Sequence, residues 1–305
     1  MQNGTIHNRE SLNLKEYEAV KAIIYAEEGH QQVLKKEYQY LDKIKAEKIS
    51  YESDGLQITG YLVYPNKPGK YPGIIYCRGG NKDFGQLTPA KIAFILGRIA
   101  SWGYVLVGSQ YRGNDGSEGH EEFGGADVGD VLNLIPLLQN HEMVEEDKLG
   151  IYGWSRGGMM TYLSLKRTHV FKAACVGGGL SDLFKMKETR PVMEEVYQDL
   201  IPGYRNQKET SLTDRSALYF ADKISKTTPI LMLHGSSDWR VVPQMALDLS
   251  KAFIFYKVPH RLILFEGGDH GLTGHRKEVD QSVRMWFRSY LKNDKALPNL
   301  DPHGR

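Results

Sequence analysis

Gly153-Trp154-Ser155-Arg156-Gly157-Gly158 crowds three glycines around one serine, between an apolar run at 148–152 and a helix-patterned stretch at 159–166. Small residues on both sides of a serine, where a strand turns sharply into a helix, permit a strained corner that holds the hydroxyl outward. The same spacing also serves an ordinary tight turn. In the nucleophile reading, the helix start brings backbone N–H groups and the positive end of its dipole to the place where an oxyanion would form.

A serine hydroxyl is a poor nucleophile without a base, and the base needs an orienting group. His270 lies in Glu266-Gly-Gly-Asp-His-Gly271, directly after the last strand pattern. Asp238 lies in His234-Gly-Ser-Ser-Asp-Trp-Arg-Val241, directly after the preceding one. Both fall at strand C-terminal ends, the edge of a parallel sheet on which Ser155 also falls. The chain order Ser, Asp, His is the order of an α/β-hydrolase. Asp182, after the strand pattern ending near Val176, and Asp269, beside the histidine, are rivals for the acid. His234 reads as a turn-former. Two donors are expected for the oxyanion: the backbone N–H of Arg156, and Gly79 or Gly80 in Cys77-Arg-Gly-Gly-Asn81, where paired glycines let the backbone approach closely. Trp154 and Arg156 flank the nucleophile and are the candidates for substrate contact, the guanidinium either attracting a carboxylate or pairing with an acid of the protein.

The 305 residues carry 39 basic and 37 acidic side chains, a balance that offers no field for nucleic acid or an anionic membrane. Two cysteines, Cys77 and Cys175, each end an apolar run, without ligand spacing for a metal or pairing for a disulfide. No metal or organic cofactor is implied. The N-terminus lacks the basic start and apolar core of a signal peptide, and no run is long enough to span a bilayer. A cytoplasmic location is the expectation.

Residues 1–48 show apolar positions at helical spacing (Leu14, Tyr17, Val20, Ile24, Val33, Leu41), divided at Gly29, and predict a helical arm with one apolar stripe. That stripe either covers the main domain or forms a homo-oligomer contact. A hairpin follows at 49–64 around Asp54-Gly55. Strand patterns at 73–77, 104–107, 149–152, 171–176, 229–233 and 262–265 then alternate with helical patterns at 89–102, 127–139, 157–166, 243–256 and 278–291. Residues 49–305 therefore predict one catalytic domain, with a mostly parallel twisted sheet and helices on both faces. The connection 180–228, aromatic and broken by Pro191 and Pro202-Gly203, predicts a helical, lid-like insertion over the sheet's C-terminal edge.

The residues so assembled resemble the catalytic domain of the prolyl oligopeptidase family of serine peptidases. The matching stretches are 53–62, Tyr111-Arg-Gly113, 153–158, 234–241 and Asp269-His-Gly271. The resemblance implies Ser155, Asp238 and His270 as nucleophile, acid and base, and cleavage of short peptides through an acyl-enzyme; some relatives are better described as esterases. Three departures stand out. Only 48 residues precede the hairpin, so the family's β-propeller is not expected. The oxyanion loop, which usually begins with His, begins with Arg78, and the residue after the nucleophile is Arg156. A peptidase, a carboxylesterase on small acyl esters and a non-catalytic binding scaffold are the three readings. An intact Ser–Asp–His set argues against the last.

Overall fold

The computed structural model describes residues 2–28 and 31–304, which divide into two compact units. The first comprises 1–76, 82–120 and 129–147; the second comprises 77–81, 121–128 and 148–305.

In the first unit the elements are β1 (Ile6–Ser11), α1 (Glu18–Ile24), β2 (Tyr25–Glu28), β3 (Gln31–Leu34), β4 (Ile44–Ser53), β5 (Leu56–Pro65), β6 (Tyr71–Cys77), α2 (Pro89–Lys91), α3 (Arg98–Ala100), β7 (Val105–Ser109), α4 (Asp127–Leu132) and α5 (Leu134–Gln139). A π-helical stretch, Ile92–Gly97, joins α2 to α3. The strands run in the order β1-β4-β5-β7-β6, with β1, β4, β5 and β7 paired antiparallel. The hairpin turn falls where expected. Asp54 (φ 55°) and Gly55 (φ 85°) both take the left-handed conformation that a two-residue turn requires.

Residues 1–48 are not the helical arm the periodicity predicts. Among their described residues the one α-helix, α1, is seven residues long, and Ile6–Ser11 is a strand paired to β4. Leu14, Val20, Ile24 and Leu41 are indeed buried, but the short α1 (Val20, Ile24) and two separate 3₁₀ turns (Leu14, Leu41) present them instead of one continuous helical stripe. A helix this short has little stability of its own, so tertiary burial decides the backbone. The polar β1 has no apolar alternation to betray it; it pairs with β4 through its backbone and through His7–Glu52 and Arg9–Glu47 at 3.0 and 3.2 Å. Gly29 lies outside the described residues.

In the second unit, β8 (Val144–Trp154), α6 (Arg156–Arg167), β9 (Phe171–Gly177), α7 (Leu183–Thr189), α8 (Met193–Leu200), α9 (Lys208–Arg215), β10 (Ile230–Gly235), α10 (Gln244–Phe255), β11 (His260–Phe265) and α11 (Arg276–Phe287) follow in turn. The strands lie in the order β8-β9-β10-β11, all parallel, with Ile151 opposite Ala174 and Leu231 opposite both Cys175 and Arg261. Their C-terminal ends therefore share one edge. The connection 180–228 is helical, as expected, and carries α7, α8 and α9. Among the described residues no helix is long and apolar enough to cross a membrane.

One buried ion pair organises the first unit. Arg112 Nη2 donates to Asp130 Oδ1 at 2.8 Å, and the Arg112 backbone N–H and Ser53 Oγ donate to the same carboxylate at 2.8 and 2.7 Å. Breaking a buried pair strands the surviving charge. Asp130→Ala should therefore lose about 3–5 kcal/mol of stability, read as a lower urea midpoint at unchanged slope. A midpoint shift worth under about 1 kcal/mol would contradict this account.

Candidate active site

The corner at Ser155 divides two requirements between residue types. Ser155 itself holds the unfavourable backbone, φ 59° and ψ −122°, a conformation that persists only where its surroundings enforce it. The glycines supply clearance. A Cβ at Gly157 would stand 1.9 Å from the Cys77 carbonyl oxygen, and one at Gly153 would stand 2.0 Å from the Gly157 carbonyl oxygen. Any side chain at either position would push α6 off the strand ends. Ser155 N–H donates to the Gly177 carbonyl at 2.9 Å and so ties the corner to the end of β9.

The next residue on β9's side, Gly178, lies under His270. A Cβ there would sit 3.2 Å from the imidazole Cε1 and Nδ1. The Trp154 indole N–H donates to the His270 carbonyl at 2.9 Å, and its ring packs against Gly177. Trp154, expected as a substrate contact, thus anchors the histidine loop to the nucleophile's strand.

His270 Nδ1 and Asp238 Oδ2 are 2.7 Å apart. A carboxylate only accepts, so Nδ1 carries the proton and Nε2 is left as an acceptor. The other carboxylate oxygen, Oδ1, accepts from Arg240 N–H (2.9 Å) and Val241 N–H (3.0 Å). Burial acts to raise the Asp238 pKa, but hydrogen bonds from His234 and His270 outweigh it and hold the carboxyl well below the usual range. His234 is no mere turn-former. It is 1% exposed, its Nε2 donates to the Val241 carbonyl at 2.7 Å, and it stands 3.4 Å from Asp238 Oδ2.

Neither rival acid reaches the imidazole in this way. Asp182 Oδ1 caps α7, accepting from Phe184 and Lys185 N–H at 2.9 and 3.1 Å. Asp269 is exposed and accepts from Thr273 N–H and Oγ1 at 2.7 and 2.8 Å.

The glycine loop after β6 lies against the nucleophile. A Cβ at Gly79 would be 2.8 Å from the Trp154 carbonyl oxygen and 3.2 Å from Ser155 Cβ. Gly80 adopts φ 72°. Burial pushes the Cys77 thiol up to about 12, which keeps it protonated and unreactive.

The Arg156 side chain corrects one expectation. It is 2% exposed and does not offer its guanidinium to a substrate carboxylate. It pairs with Glu121 and, at 2.5 Å, with Asp127. It also donates to the Gly80 carbonyl at 2.9 Å, and its Cζ stands 4.7 Å from the centre of the Phe123 ring. A guanidinium this deeply buried needs charge partners, and nothing in the spacing of Glu121, Asp127 and Arg156 along the chain announces them. Among the described residues no cluster of His, Cys, Asp and Glu is placed to hold a metal ion.

A nucleophile elbow between a strand and a buried helix, with acid and base loops at neighbouring strand ends, defines an α/β-hydrolase. The model of the prolyl oligopeptidase family matches residues 92–294, and the chain belongs to that family. It is 36% identical over 194 residues to the uncharacterized peptidase YtmA of Bacillus subtilis (strain 168), across 63% of this chain and 73% of that protein. It is 26% identical over 255 residues to the dipeptidyl-peptidase 5 of Porphyromonas gingivalis, across 79% of this chain and 37% of the relative. The acylaminoacyl peptidase of Pyrococcus horikoshii superposes with a TM-score of 0.73 at 22% identity, over 91% of this chain and 47% of that one. The chain thus spans less than half the length of the latter two proteins. The family and fold class expected from the sequence are the ones found, and the protein is a serine hydrolase.

Two outcomes follow from the acid's surroundings. Asp238→Asn should lower kcat by about 10⁴-fold, as tautomer loss does in triads generally. Asp182→Ala should cost about 1 kcal/mol of cap energy and leave kcat within a few-fold; a reversed ranking in steady-state assays would reassign the acid. The second outcome concerns acid stability. The folded carboxyl of Asp238 titrates below its unfolded value, so its stabilisation is complete above the ordinary carboxylate pKa of about 3.9. It is lost as pH falls through the lowered folded value. Urea unfolding should therefore show a smaller gap between wild type and Asp238→Asn at about pH 2 than at about pH 7. An equal or wider gap in acid would contradict the depressed pKa.

Proposed function

We propose that the protein hydrolyses short peptides or aminoacyl amides through an acyl-enzyme on Ser155. The observation that carries this reading is the 2.7 Å bond from His270 Nδ1 to a buried, ionised Asp238, at the strand edge where Ser155 occupies its strained corner. Ser155 Oγ attacks the carbonyl carbon while His270 Nε2 takes its proton and later passes it to the leaving amine. Asp238 holds the tautomer and stabilises the imidazolium. The N–H groups of Arg156 and of the Gly79-Gly80 loop receive the oxyanion. Water then releases the acyl group by the same steps in reverse.

The substrate class rests on relatives named as peptidases, including the dipeptidyl-peptidase 5 and the acylaminoacyl peptidase. The helical insertion supports an enclosed cleft for short substrates. Arg190, at the end of α7, stands 5.4 Å from the ring centre of Trp239, which directly follows Asp238. That contact brings the insertion to the acid loop.

The test is a matched panel of aminoacyl p-nitroanilides and p-nitrophenyl acyl esters, with Ser155→Ala as control. Hydrolysis of the anilides, with turnover about 10⁴-fold or more lower in Ser155→Ala, is the expected result. Turnover confined to the esters would make the protein a carboxylesterase. Undiminished hydrolysis by Ser155→Ala would remove the nucleophile from the reading altogether.

A further inference from the structure

Two arginines of the second unit are almost wholly buried, and both are bonded to the same two-residue loop. Arg78, 1% exposed, donates from Nη1 to the Gly79 carbonyl at 3.2 Å; Arg156, 2% exposed, donates from Nη1 to the Gly80 carbonyl at 2.9 Å. Burying a guanidinium is costly, and a surface turn would not need two.

We propose that Arg78 and Arg156 are positioning residues of the oxyanion hole, a paired brace that holds the Gly79-Gly80 peptide planes in the orientation that receives the tetrahedral intermediate. The proposal rests on the hydrolase reading given above.

In a planar trans peptide the C=O of one residue and the N–H of the next point in opposite directions. A donor fixed on the Gly79 carbonyl therefore fixes the direction of the Gly80 N–H. A donor fixed on the Gly80 carbonyl locks the following plane. Gly80, at φ 72°, lies between the two planes. Without side chains, a Gly-Gly pair has many accessible conformations, and a hole is effective only when its donors need no reorganisation during reaction. The two guanidiniums supply the rigidity that the glycines lack.

Arg156 links both halves of the hole. Its backbone N–H is the proposed first donor, and its side chain holds the loop proposed to provide the second. Glu121 pairs with the same Nη1 that donates to Gly80, Asp127 pairs with Nη2, and the Phe123 ring covers the guanidinium. Their carboxylates offset its charge, so it acts as a rigid fork of donors and not as a bait for anionic substrates.

The experiment compares three variants: Arg156→Lys, Arg78→Lys, and Arg156→Met combined with Glu121→Gln and Asp127→Asn, which leaves no buried carboxylate unpaired. Each is assayed for kcat and KM on p-nitrophenyl butyrate, and for inhibition by phenylboronic acid, whose tetrahedral adduct on serine places an oxygen in the hole. The triple variant should lose about 10- to 100-fold in kcat, less than the 10²–10³ typical of losing a donor outright. KM should stay within about threefold, and the boronate should weaken by the same factor as kcat. Arg156→Lys, which keeps a charged donor, should recover part of both losses relative to the triple variant.

Folded variants whose kcat is unchanged, or whose kcat falls without a matching loss of boronate affinity, would overturn the brace. If the triple variant lacks a cooperative unfolding transition, the two lysine variants decide by the same pairing of kcat with boronate affinity. Ser155→Ala and fluorophosphonate labelling of the wild type separate the two levels of inference. A wild type that neither labels nor loses activity in Ser155→Ala defeats the hydrolase reading. A wild type that does both, beside arginine variants of normal kcat, defeats only the brace.

Discussion

The catalytic unit depends on how closely α6 approaches Cys77. At Gly157 the helix backbone comes so near the Cys77 carbonyl that no Cβ fits between them. That approach forces the chain at Ser155 into its positive-φ corner and brings the glycine loop after Cys77 alongside the nucleophile. The corner and the loop are consequences of one packing contact. The free energy that holds Ser155 strained comes from the burial of α6, which is covered along nearly its whole length.

The acid and base are placed by a different device. Four parallel strands end on one edge, and the loops that leave them are tied back by hydrogen bonds. Asp269 holds the turn after His270, His234 and two backbone N–H groups hold the loop of Asp238, and the Trp154 indole ties the histidine carbonyl to the nucleophile's strand. The same chemistry explains why Asp238 and not Asp182 faces the imidazole. Asp182 is committed to capping α7. A carboxylate that caps a helix serves its own backbone and has no geometry left for a distant histidine.

The legible parts of this protein were those with a local cause. The hairpin at Asp54-Gly55, the strand–helix alternation and the elbow glycines each follow from periodicity or from a backbone demand that few residues meet. The N-terminal 48 residues misled for a physical reason. Leu14, Val20, Ile24 and Leu41 are spaced as on a helix and are buried as a helix would bury them, yet the short α1 and two separate 3₁₀ turns, and not one long helix, present them to the core. Spacing records which residues want burial and is silent on a backbone that tertiary contacts impose. The polar β1 shows the converse, since its membership in the sheet rests on main-chain pairing and polar cross-strand contacts and not on an apolar face.

By itself, the sequence determined the fold class, the family and the three residues at the strand ends, because strand order and loop position follow from chain order in a right-handed parallel α/β fold. Where Arg78 and Arg156 place their guanidiniums is a matter of folding. Arg78 and Arg156 read from sequence as charges beside a cleft, with Arg156 free to meet a substrate or an acid of the protein. Folding closes that choice by burying both guanidiniums against the Gly79-Gly80 carbonyls and setting Arg156 on Glu121 and Asp127. Partners so far apart in the chain meet only in the folded molecule, and a buried charge without them would not be stable.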